Sequence, residues 1–312
     1  MKNQNRKITI GQGNTPLLRL ENLESILNWK GQIWAKAEYQ NPTGSFKDRG
    51  SVKEITEAIK QNKKGIVCAS TGNMAASLAA FAAKYRLPCL VIVPKNTPKA
   101  KLAQALICGA KLIEVDGNYD SCVNKAKKIS RDKNFLLCGD YKLRRIGQST
   151  IGKELAESKI NFDAFIVPVG NGTVGCAVSQ GFAKKNKFPS FIGVQGKGAN
   201  PLAEAFEKRS TNFIQVKNPK TIASAMNVGD PLDGKLTLAW VYKTNGLILS
   251  VSDKDIIIAQ KILAEIEGIY VEPAAAATVA VLPKLSNRNQ TIVLILTGSG
   301  LKGGDKNDRR KN

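Results

Sequence analysis

The sequence contains no histidine among its 312 residues. This absence excludes serine and cysteine hydrolases that depend on a histidine base, and it excludes metal sites built from imidazole ligands. Any catalysis must therefore use lysine, carboxylate, tyrosine, hydroxyl or thiol groups, or the chemistry of a cofactor.

Cysteine pairs and long apolar runs are also missing. The six cysteines include no CxxC pair, which argues against zinc-ribbon and thioredoxin-type sites and favours reduced thiols. No segment is apolar for long enough to span a bilayer, and the polar, basic N-terminus lacks the apolar core of a signal peptide. We therefore expect a cytoplasmic protein that contacts no membrane and binds no metal.

Acidic residues are few relative to basic ones. The 47 Lys and Arg residues outnumber the 25 Asp and Glu residues and leave a formal net charge of +22. The lysines are spread along the chain, and no motif combines aromatic with basic residues, so we expect no nucleic-acid partner. The hydrophobic content of 43% is typical of a folded globular protein, with room for one large or two smaller domains.

Short apolar runs rich in Val, Ile and Leu alternate with helical patterns. The predicted strands are 66–69, 89–93, 111–115, 135–138, 164–169, 191–195, 247–251 and 291–297. The predicted helices are 73–85, 98–108, 121–133, 151–159, 175–184, 253–267 and 273–285. This alternation predicts an α/β fold with mostly parallel sheets and helices on both faces.

Three loops that follow predicted strands are candidate ligand sites, because ligands of parallel α/β sheets bind at the carboxyl ends of the strands. These loops are Ser70–Asn73, Gly170–Gly175 and Thr297–Gly300. Gly170–Gly175 has the GxGxxG spacing, in which backbone N–H groups can hold a phosphate. A dinucleotide site would also need an acidic residue after the next strand, where Gln195 stands, so we predict a phosphate site alone.

A second glycine motif, Gly147–Glu154, nearly matches the P-loop of nucleotide triphosphatases. Its last position is Glu154, where magnesium binding requires Ser or Thr, and no strand directly precedes it. A carboxylate there would repel a triphosphate, so we exclude this function.

The segment Asn41–Gly50 carries the most specific chemical signal, because it places a lysine between a Pro/Gly turn and an apparent helix. A strand-like run over residues 33–39 precedes it, and Ser45 is the predicted helix cap. Lys47 would then lie in the first helical turn, where the positive end of the helix dipole opposes its charged form. We therefore expect Lys47 to act as a nucleophile that forms Schiff bases.

Taken together and in this order, four motifs resemble the tryptophan-synthase-β, or fold-type II, family of pyridoxal-phosphate (PLP) enzymes. The motifs are Asn41–Gly50, Ser70–Asn73, Gly170–Gly175 and Thr297–Lys302. Within that family, segments 13–20, 221–231 and 271–276 are most similar to the threonine synthases. The resemblance implies two three-layer α/β/α subdomains with mostly parallel sheets and PLP in the cleft between them. We place the larger, PLP-binding domain at residues 1–51 and 140–312, and the smaller inserted domain at residues 52–139.

The resemblance also assigns roles to individual residues. Lys47 would bind PLP as a Schiff base and act as general base and acid. The other cofactor contacts would be Phe46, Asn73 at the pyridoxal 3′-oxygen, Thr297 at the pyridine nitrogen, and Gly170, Asn171, Gly172, Thr173, Val174 and Gly175 at the phosphate. The substrate contacts would be Ser70, Thr71 and Gly72 at the carboxylate, with Arg144 or Arg145 at the substrate phosphate.

The implied reaction of the threonine synthases converts O-phosphohomoserine and water to threonine and phosphate. The γ-phosphate is eliminated and water then adds at Cβ. Segment 137–148 departs from that family's phosphate-binding pattern, and Met74 stands where many relatives have Thr. A serine/threonine dehydratase, a cysteate-synthase-like enzyme and a non-catalytic homologue therefore stay open. We also expect a homodimer, the common state of the relatives.

Overall fold

The computed structural model describes residues 8–117 and 119–302. Contacts within the chain divide it into two units, and each unit has its own sheet. The first contains residues 8–13 and Asn41–Gly147, and the second contains Asn14–Gln40 and Gln148–Lys302. Among the residues described, no helix is both long and apolar enough to cross a membrane.

Strands and helices alternate along most of the chain. The strands are β1 (Leu17–Arg19), β2 (Gln32–Lys36), β3 (Gly65–Ala69), β4 (Cys89–Pro94), β5 (Lys111–Val115), β6 (Phe135–Cys138), β7 (Ala164–Pro168), β8 (Ser190–Gly196), β9 (Leu247–Val251) and β10 (Thr291–Ile295). The α-helices are α1 (Glu21–Ile26), α2 (Lys47–Lys60), α3 (Asn73–Lys84), α4 (Lys99–Ile107), α5 (Tyr119–Lys133), α6 (Lys142–Glu157), α7 (Thr173–Ala183), α8 (Pro201–Glu207), α9 (Gly234–Lys243), α10 (Asp253–Glu267) and α11 (Pro273–Ala280).

The first unit has a four-stranded parallel sheet in the order β5-β4-β3-β6. Side chains alternate between its faces, as the pleat requires. Ile66 and Val91 pack with α2, α3 and α4, whereas Val67 and Ile92 pack with α5. The sheet is therefore buried on both sides, which explains why its central strands read as continuous apolar runs.

The second unit has a six-stranded sheet in the order β1-β2-β10-β7-β8-β9. Only the pairing of β1 with β2 is antiparallel among the described strands. One face packs on α1, α10 and α11. On the other face, the rings of Phe165 and Phe191 stack at 4.9 Å, and Phe182 of α7 lies 5.7 Å from Phe165. The predicted class, two α/β units with mostly parallel sheets, is confirmed.

Most predicted elements lie within two residues of the observed ones. The strand-like run 33–39 differs more, because β2 ends at Lys36 and a 3₁₀ turn follows over Glu38–Gln40, and two helices also differ more. The predicted helix 151–159 is the second half of α6, which begins at Lys142. The predicted helix 273–285 ends at Ala280 and continues as a 3₁₀ turn over Leu282–Lys284, because Pro283 has no N–H for a helical hydrogen bond.

The predicted domain boundaries stay a prediction, and the contact-defined units divide the chain differently. Residues 41–51 and 140–147 lie in the first unit, together with the predicted smaller domain 52–139. One cause is that α2 is continuous across position 51 and packs against α3. A second is that Arg144 near the start of α6 bonds to Glu54 of α2.

Candidate active site

The loop that precedes Lys47 is held by a carboxylate in the first turn of α2. Asp48 accepts hydrogen bonds from Thr43 N at 2.8 Å and from Thr43 Oγ1 at 2.6 Å. Lys47 lies in the first turn of α2, as predicted, but the helix begins at Lys47 itself and its cap position is Phe46. The prediction of Ser45 as the cap is wrong, because its buried hydroxyl has no hydrogen-bond partner among the described residues.

The Lys47 amine forms an ion pair inside the first unit. Nζ lies 2.9 Å from Asp140 Oδ1, and the two side chains are only 17% and 14% exposed. Nζ also lies 5.0 Å from the centre of the Phe46 ring. The Asp140 carboxylate and the positive end of the α2 dipole therefore face the same amine with opposite charge.

Behind Lys47, a fully buried ion pair joins α2 to α6. The Arg144 guanidinium bonds to the Glu54 carboxylate, to Gly139 O at 3.1 Å and to Lys47 O at 3.2 Å. Gly50 leaves the room for it, since a Cβ there would clash with Arg144 Cγ. Burial raises the pKa of Glu54 to about 7, although the Arg144 guanidinium and the Gly139 N–H act in the opposite direction.

The two arginines predicted as candidates for binding the substrate phosphate therefore lie in different surroundings. Arg144 is 0% exposed, and protein groups surround its guanidinium. Arg145 is only partly buried. One position along a helix turns a side chain by about 100°, which separates two adjacent arginines into different environments.

The loop Ser70–Asn73 follows β3 and is open to solvent. Asn73 is the first residue of α3, as predicted. Gly72 precedes it, and a Cβ added there would meet no described atom within 4 Å. The backbone N–H groups at the start of α3 and the hydroxyls of Ser70 and Thr71 are donors of the kind that bind an anion.

In the second unit, Gly172 and Thr173 form the entry to α7. Gly172 has a left-handed backbone, with φ of +84°, and a Cβ there would overlap Thr237 Oγ1. Thr173 is 4% exposed, and its Oγ1 has no hydrogen-bond partner among the described residues. Buried hydroxyls are nearly always paired, so an orphaned one at a helix N-terminus marks a place where a ligand oxygen can bind.

The other members of the GxGxxG loop serve the packing of the second unit. A Cβ on Gly170 would overlap Ala225 O, and a Cβ on Gly175 would overlap the Phe191 ring. Asn171 O accepts a hydrogen bond from Asp233 N at 2.9 Å. Packing within the unit therefore explains Gly170, Asn171 and Gly175. Gly172 and Thr173 are the members of the motif whose geometry indicates a phosphate site.

Thr297 lies just beyond the end of β10 and is 2% exposed. Its hydroxyl donates to Glu272 Oε1 at 2.9 Å. Gly298 allows this contact, because a Cβ there would press on the Glu272 carboxylate. The lone pairs of Thr297 Oγ1 stay available as acceptors.

The P-loop-like segment Gly147–Glu154 forms no loop, since it lies within α6. Glu154 pairs with Lys36 Nζ at 2.7 Å and accepts from Asn14 N at 3.0 Å. The carboxylate that excluded magnesium binding therefore ties α6 to β2 and to the chain before β1.

Sequence reasoning missed three acidic or phenolic groups near these loops. Asp140 follows β6, and the rule about strand ends could have identified it. Tyr119 OH donates to Ala69 O at 3.2 Å, directly before the Ser70–Asn73 loop. Glu272 lies in segment 271–276, which resembles the threonine synthases, but no local pattern in the sequence links it to Thr297.

Comparisons with known proteins show which families this chain resembles. The family model described as "Pyridoxal-phosphate dependent enzyme" matches residues 8–298. A threonine synthase from Methanocaldococcus jannaschii is 40% identical over 321 aligned positions, covering 98% of this chain and 79% of that protein. One from Methanosarcina acetivorans is 37% identical and covers 95% and 76%. The structure of maize serine racemase superposes with a TM-score of 0.83 at 25% identity, covering 92% of this chain and 88% of that one.

Proposed function

The chain belongs to the family of pyridoxal-phosphate dependent enzymes, and from that premise we propose that it catalyses the threonine synthase reaction. Its substrates would be O-phosphohomoserine and water, and its products threonine and phosphate. One observation carries the proposal: Lys47 begins α2 and pairs with Asp140 in the loop after β6, on a chain 40% identical to a protein named threonine synthase.

The described residues fit PLP. A phosphate dianion requires several N–H and O–H donors, and the start of α7 offers backbone N–H groups together with the unpartnered Thr173 hydroxyl. At Gly172 the backbone lies so close to Thr237 Oγ1 that no side chain fits there. The Lys47 amine is the nucleophile that the aldehyde of PLP requires. Thr297 Oγ1 could accept from a ring nitrogen while it donates to Glu272, or donate to that nitrogen if its hydroxyl turned away from Glu272.

When bound, PLP supplies an electron sink that stabilises negative charge on the substrate carbons. Lys47 would hold the cofactor covalently, and its free amine would move the protons at substrate Cα and Cβ. The start of α3, with Ser70, Thr71 and Gly72, would bind the substrate carboxylate, and Asn73 would orient the cofactor through its amide. One lysine with several proton transfers needs no histidine, which agrees with the composition.

We further propose that Arg145, and not Arg144, contacts the substrate phosphate. Three acceptors within the protein already surround the Arg144 guanidinium, and releasing it would leave Glu54 buried without its cation. Arg145 is adjacent and partly buried, and arginine binds phosphate through paired N–H donors. A cytoplasmic location, a homodimer and the absence of nucleic-acid partners stay predictions.

The proposal is tested by absorbance and product assays. Purified protein mixed with PLP should develop a visible absorption band, and addition of O-phosphohomoserine should release phosphate and threonine in equal amounts. Lys47→Ala should abolish both, whereas Lys53→Ala, which removes an exposed amine from the same helix, should change neither. A band without phosphate release would overturn the reaction but leave the cofactor, and serine, threonine and phosphoserine would be assayed next.

A further inference from the structure

We propose that Asp140 is a second catalytic residue, whose carboxylate holds the Lys47 ammonium whenever Nζ carries a proton. The inference rests on the proposed function, since it gives Lys47 the proton transfers described above. Asp140 touches the reacting nitrogen directly, at 2.9 Å, and its own side chain is 14% exposed. No role follows for Asp140 from the sequence motifs.

The protein fixes the backbone on which Asp140 stands. The preceding residue, Gly139, donates its N–H to Glu54 Oε1 at 3.0 Å and accepts from Arg144 Nε at 3.1 Å. The same Arg144 bonds to Lys47 O. One buried ion pair therefore holds both the lysine and the loop that carries its carboxylate partner, so the 2.9 Å contact joins two positioned groups.

Two cations lie beside the Asp140 carboxylate. The ionisable groups near it include Lys47, Glu54, Tyr119, Tyr141 and Arg144. Arg144 Nε lies 3.9 Å from Asp140 Oδ1, which adds a second cation. Burial and then the Asp140 charge raise the pKa of Tyr119 and of Tyr141, so both phenols stay neutral donors at neutral pH.

This contact has opposite consequences for two functions of Lys47. Attachment of PLP requires the neutral amine, and a carboxylate that stabilises the ammonium slows it. During turnover the lone pair of Nζ forms an N–H bond as the substrate Cα–H bond breaks, and the electron pair of that bond remains on Cα. The Asp140 carboxylate neutralises the resulting ammonium and neither gains nor loses a proton, so it speeds this step.

The test measures both rates in Asp140→Asn, which keeps the shape of the side chain and removes its charge. The protein, freed of cofactor, is mixed with PLP at pH 7.5, and the visible band is followed by stopped-flow absorbance. Phosphate release from O-phosphohomoserine is then measured on the loaded protein. Because Asp140→Asn removes the negative charge that faces Nζ at 2.9 Å, we expect attachment about tenfold faster. We expect turnover to be slower by roughly tenfold to a hundredfold.

Three further variants separate this role from a structural one. Asp116→Asn removes a carboxylate from a surface pair with Lys95, at 3.4 Å in the same unit, and should change neither rate. Asp140→Glu keeps the charge and should restore the slow attachment. Asp140→Ser replaces Asp140→Asn if thermal unfolding shows that the latter does not fold.

Rates that change in opposite directions would support the inference. A loss in both rates would show that Asp140 only maintains the loop, and unchanged rates would show that the ion pair has no catalytic role; either result overturns it. If the unsubstituted protein binds PLP but releases no phosphate, the proposed function fails. In that case the attachment rates still test the contact itself, because they need no substrate: an unchanged or slower attachment in Asp140→Asn would overturn the inference.

Discussion

The buried pair of Arg144 and Glu54 allows a sharp test of how the site is held together. Arg144→Met removes the guanidinium and keeps an unbranched side chain. Three acceptors then lose their donor: the Glu54 carboxylate, Gly139 O and Lys47 O. Removing one partner of a buried ion pair typically lowers the free energy of unfolding by about 3–5 kcal/mol, and we expect that range here.

The effect should depend on pH through Glu54. Its pKa is raised from 4.5 to about 7, so the unfolded chain releases this proton at a lower pH than the folded one. The stability contributed by neutral Glu54 is therefore complete below pH 4.5 and is lost as the pH rises to about 7. At about 1.4 kcal/mol per pH unit, the loss is roughly 3 kcal/mol.

Without Arg144 the pKa of Glu54 rises further, because the guanidinium is the group that lowers it most. The loss of stability then continues above pH 7. We therefore expect the deficit of Arg144→Met to be larger at pH 8 than at pH 5. Urea unfolding followed by circular dichroism at both pH values measures it.

A double variant checks the cause of the deficit. Glu54→Gln combined with Arg144→Met removes the unpaired carboxylate but keeps a side-chain oxygen as acceptor for Gly139 N. We expect it to recover about 2 kcal/mol at pH 8. Arg145→Met serves as the matched control and should change stability by less than about 1 kcal/mol while raising KM for the phosphorylated substrate. The reverse pattern, a stable Arg144→Met with a raised KM, would refute the reasoning.

Two further predictions concern the second unit. Gly172→Ala forces a Cβ into a left-handed backbone with φ of +84°, at roughly 1–2 kcal/mol of strain; we expect PLP affinity to fall at least about tenfold, and an unchanged affinity in a fluorescence titration would contradict the phosphate site. Ser252→Ala removes the N-cap of α10, where Ser252 Oγ accepts from Asp255 N at 3.1 Å. We expect a loss of about 1 kcal/mol in urea unfolding at neutral pH. Hydrogen bonds from Ser252 hold the pKa of Asp255 below its usual 3.8, so the loss should shrink as the pH falls through that range, and an equal loss at all pH values would contradict it.

Local patterns in the sequence determined the class of the fold and the place of the lysine. Strands 111–115, 135–138 and 247–251 and helix 253–267 were predicted with the bounds that the structure has. Such elements can be predicted from the sequence because their signal is local. It consists of the period of the apolar residues and of the Gly and Pro residues that interrupt that period, all within a few neighbouring positions. The order of the loops that follow the strands is given by the same local patterns.

The tertiary structure alone decided which side chains act on Lys47. Glu54 and Arg144 are 90 residues apart in the chain, and Lys47 and Asp140 are 93 apart. Spacing could not distinguish Arg144 from Arg145, because a helix turns adjacent residues toward different surroundings and only the packing of α6 on α2 makes one of them internal. Burial, the pKa of Glu54 and the position of Asp140 all depend on that packing, and no local pattern encodes a contact between distant segments.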